Sequence, residues 1–332
     1  MAVNHQVLLA EKPRGKLALE NFAFAEAEVP TPDEGQVLVK ARYISLDAAN
    51  RAWMQGVTYR SALSTGEVMA GGALAEVVES RVSHLQPGDL VQAETGWQEY
   101  AAVSGKHLEK LPKIEPLTHL LSVYGVTGLT AYLGLLRVGD PQPGETVVVS
   151  AAAGAVGSIA AQVAKLKGCR VIGVAGGPEK CAWLTDELGL DAAVDYKAGE
   201  TRRALRAACP DGINVYFDNV GGDVFEAALF NMANHGRIVC CGAVSAYDDA
   251  PPPHGPRGVP GLIVTKRLKV DGFVVMDFYD GKAAALAQLK AWVEVGKLKV
   301  QEDVIDGLQN LPSALIGLLA GENRGKRMVK VS

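Results

Sequence analysis

Two hydrophobic periods divide the 332-residue chain. In the first part apolar and polar positions alternate. In "GQVLVKARYISLD", Val37, Val39, Ala41 and Tyr43 alternate with Gln36, Leu38, Lys40 and Arg42. This is mostly a period of two and predicts a half-buried antiparallel strand. "GALAEVVES", "DLVQAE" and "WQEYAAVS" continue the pattern, and the turn clusters "PTPDEG" and "QPGD" precede strand-like segments. Residues 1 to about 122 therefore read as a β-rich lobe.

Near Val123 the period changes. "ETVVVS", "CRVIGVA", "DAAVDY", "INVYFDNV", "GRIVCCGAV" and "KVDGFVVM" are short apolar runs of buried-strand type. Between them lie helical segments: residues 155 to 168, "EKCAWLTDELG", "GETRRALRAAC" and "DVFEAALFNM". Strand alternating with helix predicts an α/β unit, a doubly wound parallel sheet with helices on both faces. The tail "ENRGKRMVKVS" returns to alternation and is expected to rejoin the first lobe. The expected domains are 1–122 with 298–332, and 123–297.

The run "VVVSAAAGAVGSIAAQVAKLKG", residues 147–168, tests this reading. From Thr146 to Ala164 it has no charge, nearly the length of a bilayer span. A membrane segment, however, would leave the backbone of a mid-bilayer glycine turn without partners. The run parses instead as a strand to Ser150, a turn over 151–157, and a helix with an apolar stripe of Val156, Ile159, Ala160, Val163 and Leu166. A glycine turn between a first strand and a helix seats a pyrophosphate: side chains would block the close approach, and the helix N-terminus offers N–H groups and a positive dipole end. Here the pattern is A-A-x-G-x-x-G, with Gly154 and Gly157.

The end of the next strand bears on which dinucleotide binds. An acid about twenty residues beyond the turn commonly accepts from the adenosine ribose. Gly176 and Gly177 stand there instead, and Lys180 follows within a turn. A carboxylate would repel a 2′-phosphate by about 4 kcal/mol at 4 Å and an effective dielectric near 20. Removing it and adding a cation favours NADP(H).

Composition removes several classes. Net charge is −4 with acids and bases interleaved, and no basic block could track nucleic acid. No apolar run follows a basic N-terminus, so no secretory leader is expected. Cys169, Cys181, Cys209, Cys240 and Cys241 are an odd number without C-x-x-C, which suits reduced thiols and a cytoplasmic protein. The six histidines show no H-x-x-x-H pair, so no metal site is expected. "SAYDDAPPPHGPRGVPG", residues 245–261, is either a flexible surface loop or a lid, because it leaves the C-terminal end of a sheet strand.

Several segments carry a family resemblance: "AAAGAVG", "KLKGCRVIGVAGGPEKC", "YFDNVGG", "CGAVSAY", "DGFVV" and "IGLLAGENRGKRMVKV". With them the chain resembles the zinc-independent medium-chain dehydrogenases/reductases, in the leukotriene B4 dehydrogenase/prostaglandin reductase branch. It looks closest to bacterial NADPH-dependent curcumin and alkenal/enone reductases. The resemblance covers nearly the whole chain. It implies a GroES-like β-barrel lobe, a Rossmann lobe, an active site between them, and a homodimer.

Residue by residue, the resemblance has Gly154, Ala155, Val156 and Gly157 facing the pyrophosphate. Gly177, Lys180 and Tyr196 would hold the 2′-phosphate end. Asn219, Cys241, Gly242, Ser245, Tyr247, Phe273, Val274, Val275 and Asn323 would line the rest of the cofactor. It also implies a small-molecule substrate, an α,β-unsaturated carbonyl, and two tyrosines as candidate hydrogen-bond donors or proton sources, Tyr59 and Tyr247. The family's "DP(Y/A)MR" and "GMPG" stand here as "DAANR" and "GVTG", so substrate range departs from the pattern. Zinc-dependent relatives place a Cys near 44 and a His-Glu pair near 70; this chain has "YISLD" and "MAGG". Two other functions share the cofactor site, a quinone reductase and a non-catalytic NADPH sensor.

Overall fold

The computed structural model of the chain describes residues 3–56, 60–248 and 255–331. Tyr59 and residues 249–254 of the Pro/Gly-rich loop lie outside the described residues. The chain forms two compact units. One comprises Met1–Leu121, Glu302–Glu322 and Arg327–Ser332; the other comprises Ser122–Gln301 and Asn323–Lys326.

The first unit is antiparallel. Strands β1 (Val3–Leu9) and β2 (Phe22–Glu28) form a hairpin sheet. A larger sheet is built from β3 (Gln36–Ser45), β4 (Ala73–Ser80), β5 (Leu90–Ala93) and β6 (Tyr100–Ser104), with β13 (Glu302–Asp306) and β14 (Lys326–Lys330) returning from the C-terminal part. The period of two appears directly in β3, where Val37, Val39 and Ala41 are fully buried. Leu38, read as solvent-facing, is buried as well, because a register shift between Leu38 and Val39 breaks the strict alternation.

The second unit is a six-stranded parallel sheet. Its strands are β7 (Thr146–Val149), β8 (Arg170–Ala175), β9 (Ala192–Asp195), β10 (Ile213–Asp218), β11 (Met232–Cys240) and β12 (Lys269–Gly272). Their order is β12-β11-β10-β7-β8-β9. Both faces are covered: Val147 and Val149 enter one hydrophobic cluster, Val148 the other. This double burial is why the strands read as unbroken apolar runs. Cys240 and Cys241 fall into opposite clusters, so the adjacent thiols point to opposite faces of the sheet.

Three departures from the sequence reading have physical causes. The helix Ala155–Leu166 is buried continuously from Gly157 to Ala164, not along one stripe. Gln162 lies among these residues because its amide is satisfied twice by Lys299: Nε2 donates to the Lys299 carbonyl at 2.9 Å, and Oε1 accepts the Lys299 N–H at 2.8 Å. The last strand stops at Gly272, not Met276, because Phe273 turns into the core against Phe217 and Phe278. The segment 323–326, expected in the β lobe with all of 298–332, belongs to the parallel unit, as do residues 298–301. Gly325 explains the tight approach there: it has φ +68, and a Cβ would overlap the Gln301 carbonyl. No helix among the described residues is long and apolar enough to cross a membrane.

Candidate functional site

The site grows from the C-terminal ends of β7, β8, β10 and β11, where open parallel sheets present their loops. After β7 the chain reverses through Ala151, a non-glycine residue at φ +47. Gly154 then caps the helix in extended conformation, and no side chain caps its N-terminus. The first helical N–H groups are thus offered outward with the positive end of a twelve-residue helix. The two glycines do different jobs. A Cβ on Gly157 would stand 2.2 Å from the Ala151 carbonyl oxygen, so this glycine packs helix against turn. A Cβ on Gly154 would come near Ala151 alone, 3.1 Å from that oxygen and 4.0 Å from the Ala151 Cβ, so its missing side chain leaves the rest of the turn's surface open there. That open surface over an uncapped N-terminus fits a pyrophosphate. Ala155 and Val156 begin the helix, and Val156 packs its side chain on the core, so only its main chain is available to a ligand.

The C-terminal segment comes down on this turn. The Gly325 N–H donates to the Ala153 carbonyl at 2.8 Å, and Gly154 and Gly325 form a parallel bridge. Lys180 Nζ donates to the Asn323 carbonyl, while Asn323 Nδ2 donates to the Gly325 carbonyl at 2.8 Å. Asn323 is therefore a turn-forming residue that presents its carbonyl to Lys180.

At the end of β8, Gly177 has φ +92, where an L side chain is strained. A Cβ on Gly176 would be 2.9 Å from both the Tyr196 ring and Lys197 Cε. The bare glycine lets these two side chains close over the strand end. Lys197 was not singled out by sequence, although it stands in the same "DYK" triplet as Tyr196. A carboxylate is also present, Asp195, but its Oδ1 accepts the Gly177 N–H at 2.8 Å and the Lys197 N–H at 2.9 Å. The Gly177 bond, above all, holds the Asp195 carboxyl below its ordinary range. The strand end thus joins Lys197 and Tyr196 with an acid occupied by main-chain donors, while Lys180 stands in the helix that follows, Pro178–Ala182, with its ammonium on the Asn323 carbonyl. Cations with a hydroxyl suit a phosphate better than a ribose diol.

The third part is the turn after β10. Asp218, 2% exposed, takes Ser150 Oγ at 2.9 Å, the Tyr216 hydroxyl at 2.7 Å, and the N–H groups of Val220 and Gly221. Burial, reinforced by the Asp218 charge, pushes the Tyr216 hydroxyl far above its ordinary range and keeps it a donor. Sequence reading chose the neighbouring Asn219, whose Nδ2 donates to the Ser150 carbonyl at 2.7 Å. An Asp followed by Asn-Val-Gly-Gly closes an Asx-type turn onto the next N–H groups, a local signal that would have found Asp218.

The remaining expected residues are placed as follows. The N–H groups of Cys241 and Gly242 donate to the Asp218 carbonyl at 2.8 and 3.1 Å. Burial pushes the Cys241 thiol up to about 12, so it is not a nucleophile. Ser245 Oγ donates to the Val220 carbonyl at 2.7 Å, and the Tyr247 hydroxyl lies 3.5 Å from the Ala243 N–H. Phe273 and Val275 put their side chains into the core, leaving their main chain and Val274 as the contacts a ligand could use. Among the described residues no group of three or more His, Cys, Asp or Glu could hold a metal ion.

The comparisons with known proteins fit this layout. Residues 5–111 match the family described as "N-terminal domain of oxidoreductase", and residues 155–291 match "Zinc-binding dehydrogenase". The chain is 44% identical over 336 residues to the putative NADP-dependent oxidoreductase YfmJ of Bacillus subtilis, covering 100% of this chain and 98% of that protein. It is 42% identical to the NADPH-dependent curcumin reductase of Escherichia coli, covering 99% and 97%. The structure of CurA from Vibrio vulnificus in complex with NADPH superposes with a TM-score of 0.94 at 40% identity, over 99% of each chain.

Proposed function

The chain belongs to the medium-chain dehydrogenase/reductase family, and on that premise we propose that it reduces the carbon–carbon double bond of α,β-unsaturated ketones and aldehydes with NADPH. The observation that carries the cofactor part of this reading is the end of β8, where Tyr196 and Lys197 close over Gly176, Asp195 is occupied by main-chain N–H groups, and Lys180 follows in the next helix. The curcumin reductase among its relatives supports the substrate class, since curcumin is itself a conjugated enone.

When bound, NADPH supplies hydride to the substrate β-carbon. The chain's own groups do the rest. The Gly154 turn and the helix N-terminus hold the diphosphate, and the Lys180 corner holds the adenosine end. A tyrosine hydroxyl donates to the carbonyl oxygen as negative charge develops there, and a tyrosine or water returns a proton to the α-carbon. Tyr247, at the end of the turn after β11, and Tyr59 are the two candidates. Loss of one oxyanion donor lowers rate by about 10²–10³. We expect Tyr247→Phe or Tyr59→Phe to lower kcat by that factor, with NADPH KM unchanged in Tyr59→Phe and free to rise in Tyr247→Phe, since Tyr247 is also an expected cofactor contact. If neither variant moves kcat, the donor is elsewhere.

Purified protein is expected to oxidise NADPH, followed at 340 nm, when given a 3-alken-2-one or a 2-alkenal, and NADH far more slowly. A zinc chelator should leave the rate unchanged, because the ligand positions near 44 and 70 are filled by "YISLD" and "MAGG". Turnover of quinones alone would make it a quinone reductase; NADPH binding without turnover of either class would make it a sensor. The same reading has the enzyme cytoplasmic, in keeping with five free thiols, and homodimeric. β12 ends the parallel sheet and carries the exposed Val270, an edge that a second copy could extend. Light scattering at twice the chain mass would support the dimer, and a single-chain mass would remove it.

A further inference from the structure

We propose that Asp218 is the positioning residue for the cofactor loops, a single buried carboxylate that sets three ligand-facing segments relative to one another. The inference rests on the cofactor reading above and extends it to a residue outside the set of expected contacts.

The geometry is convergent. Asp218 ends β10, and its carboxylate gathers donors from three places. Ser150 Oγ, at 2.9 Å, belongs to the first residue after β7, where the glycine turn begins. The Val220 and Gly221 N–H groups, at 3.0 and 3.1 Å, are the turn that follows β10 itself. The Tyr216 hydroxyl, at 2.7 Å, fixes the carboxylate from the core side. The main chain of the same residue reaches a third segment, since its carbonyl accepts the N–H groups of Cys241 and Gly242 after β11. Ser150 returns the link, because its Oγ accepts the Asn219 N–H at 2.8 Å.

A structural turn needs no charge for this. Asx turns close equally well with asparagine, and hydroxyl donors can be satisfied by main-chain carbonyls. A carboxylate 2% exposed is expensive to bury, and here four donors converge on Oδ1 while the Gly221 N–H also reaches Oδ2. What this arrangement achieves beyond a turn is a fixed spacing between the turn after β7 and the turns after β10 and β11. A dinucleotide spans those turns, so its affinity depends on the spacing, whereas the chemical step does not.

The test is binding of NADP⁺ by calorimetry, with NADPH KM and kcat alongside, for the wild-type chain and for Asp218→Asn. Asparagine keeps the size and Oδ1, but it removes the charge that holds four donors at Oδ1 and turns Oδ2, which accepts the Gly221 N–H at 3.1 Å, into a donor facing that N–H. We expect the NADP⁺ Kd and the NADPH KM to rise at least tenfold while kcat at saturating cofactor stays within about threefold. A folded Asp218→Asn protein with wild-type Kd would overturn the proposal, even if its melting temperature has dropped, for that is the signature of a purely structural turn. If Asp218→Asn does not fold, Ser150→Ala and Tyr216→Phe decide the matter. Each removes one donor and leaves the carboxylate, and each is expected to weaken NADP⁺ binding three- to tenfold at unchanged kcat; wild-type Kd in both would overturn it. Wild-type protein that binds no NADP⁺ would sink the cofactor reading and this inference with it, whereas wild-type binding with unaffected variants would sink only the inference.

Discussion

Gly157→Ala is expected to cost both stability and cofactor binding, and Gly154→Ala to cost binding alone. The two glycines lie three residues apart in one turn, but their surroundings differ. At 157 the added methyl would sit 2.2 Å from the Ala151 carbonyl oxygen, with the Ala151 carbonyl carbon and Ala152 Cα inside 3 Å. These are backbone atoms, so no rotamer change can relieve the contact. Overpacking of this kind costs about 1–3 kcal/mol. Alanine in a helix is better than glycine by about 1 kcal/mol, too little to offset the upper part of that range. A net loss of 1–2 kcal/mol lowers Tm by roughly 2–8 °C for a unit of this size. Moving the turn off its helix also displaces the N–H groups, so NADP⁺ Kd should rise about a hundredfold.

At 154 the methyl's one tight contact is the Ala151 oxygen at 3.1 Å, with the Ala151 Cβ at 4.0 Å, and the backbone is at φ −86, a conformation open to alanine. Melting should stay within about 2 °C, while the methyl covers the surface a diphosphate would touch and NADP⁺ Kd should rise about tenfold. Calorimetry and thermal melting of both variants check this. Equal NADP⁺ affinity in wild type and Gly154→Ala would show that the turn is not the diphosphate seat.

The second large effect is on coenzyme choice. Lys180→Ala is expected to raise the NADPH KM about 10- to 100-fold and leave the NADH KM within twofold. A hydrogen bond to a charged group contributes about 1.5–3 kcal/mol, and 1.4 kcal/mol is a factor of ten. The Lys180 bond to the Asn323 carbonyl aims the ammonium without cancelling its charge, since a carbonyl carries none. Lys197 is the second cation at this corner, its stem against Gly176. The double variant Lys180→Ala/Lys197→Ala should remove the preference for NADPH that the single variant retains. Parallel rises in both KM values would mean that Lys180 supports the loop and does not read the phosphate.

The two lysines also mark what could be read from sequence. Lys180 was legible because its signal is local: two glycines where an acid is usual, then a cation within one turn. Lys197 was in plain view beside Tyr196, but nothing along the chain says that residue 197 folds over residue 176. Asn219 and Asn323 were expected to face a ligand. In each, Nδ2 donates to a main-chain carbonyl, a bond that shapes the turn whether or not the residue also meets a ligand. Phe273 and Val275 were placed in a strand lining the site, but their side chains serve the core.

What the sequence by itself determined is what depends on neighbours along the chain. Period two against alternating strand and helix separated the antiparallel lobe from the parallel one. The glycines at 154 and 157 marked a strand–turn–helix, because a tight turn and a close helix contact both demand missing side chains. Only the tertiary structure decided the rest, and the reason is chain separation. Ser150 and Asp218 meet across 68 residues, and Lys180 and Asn323 across 143. Such pairs are chosen by the order in which parallel strands stack and by a glycine-only approach at Gly325, neither of which leaves a period in the sequence. Local rules could therefore find the phosphate-facing turn, while the groups that hold it in place became visible only once the sheet had brought them together.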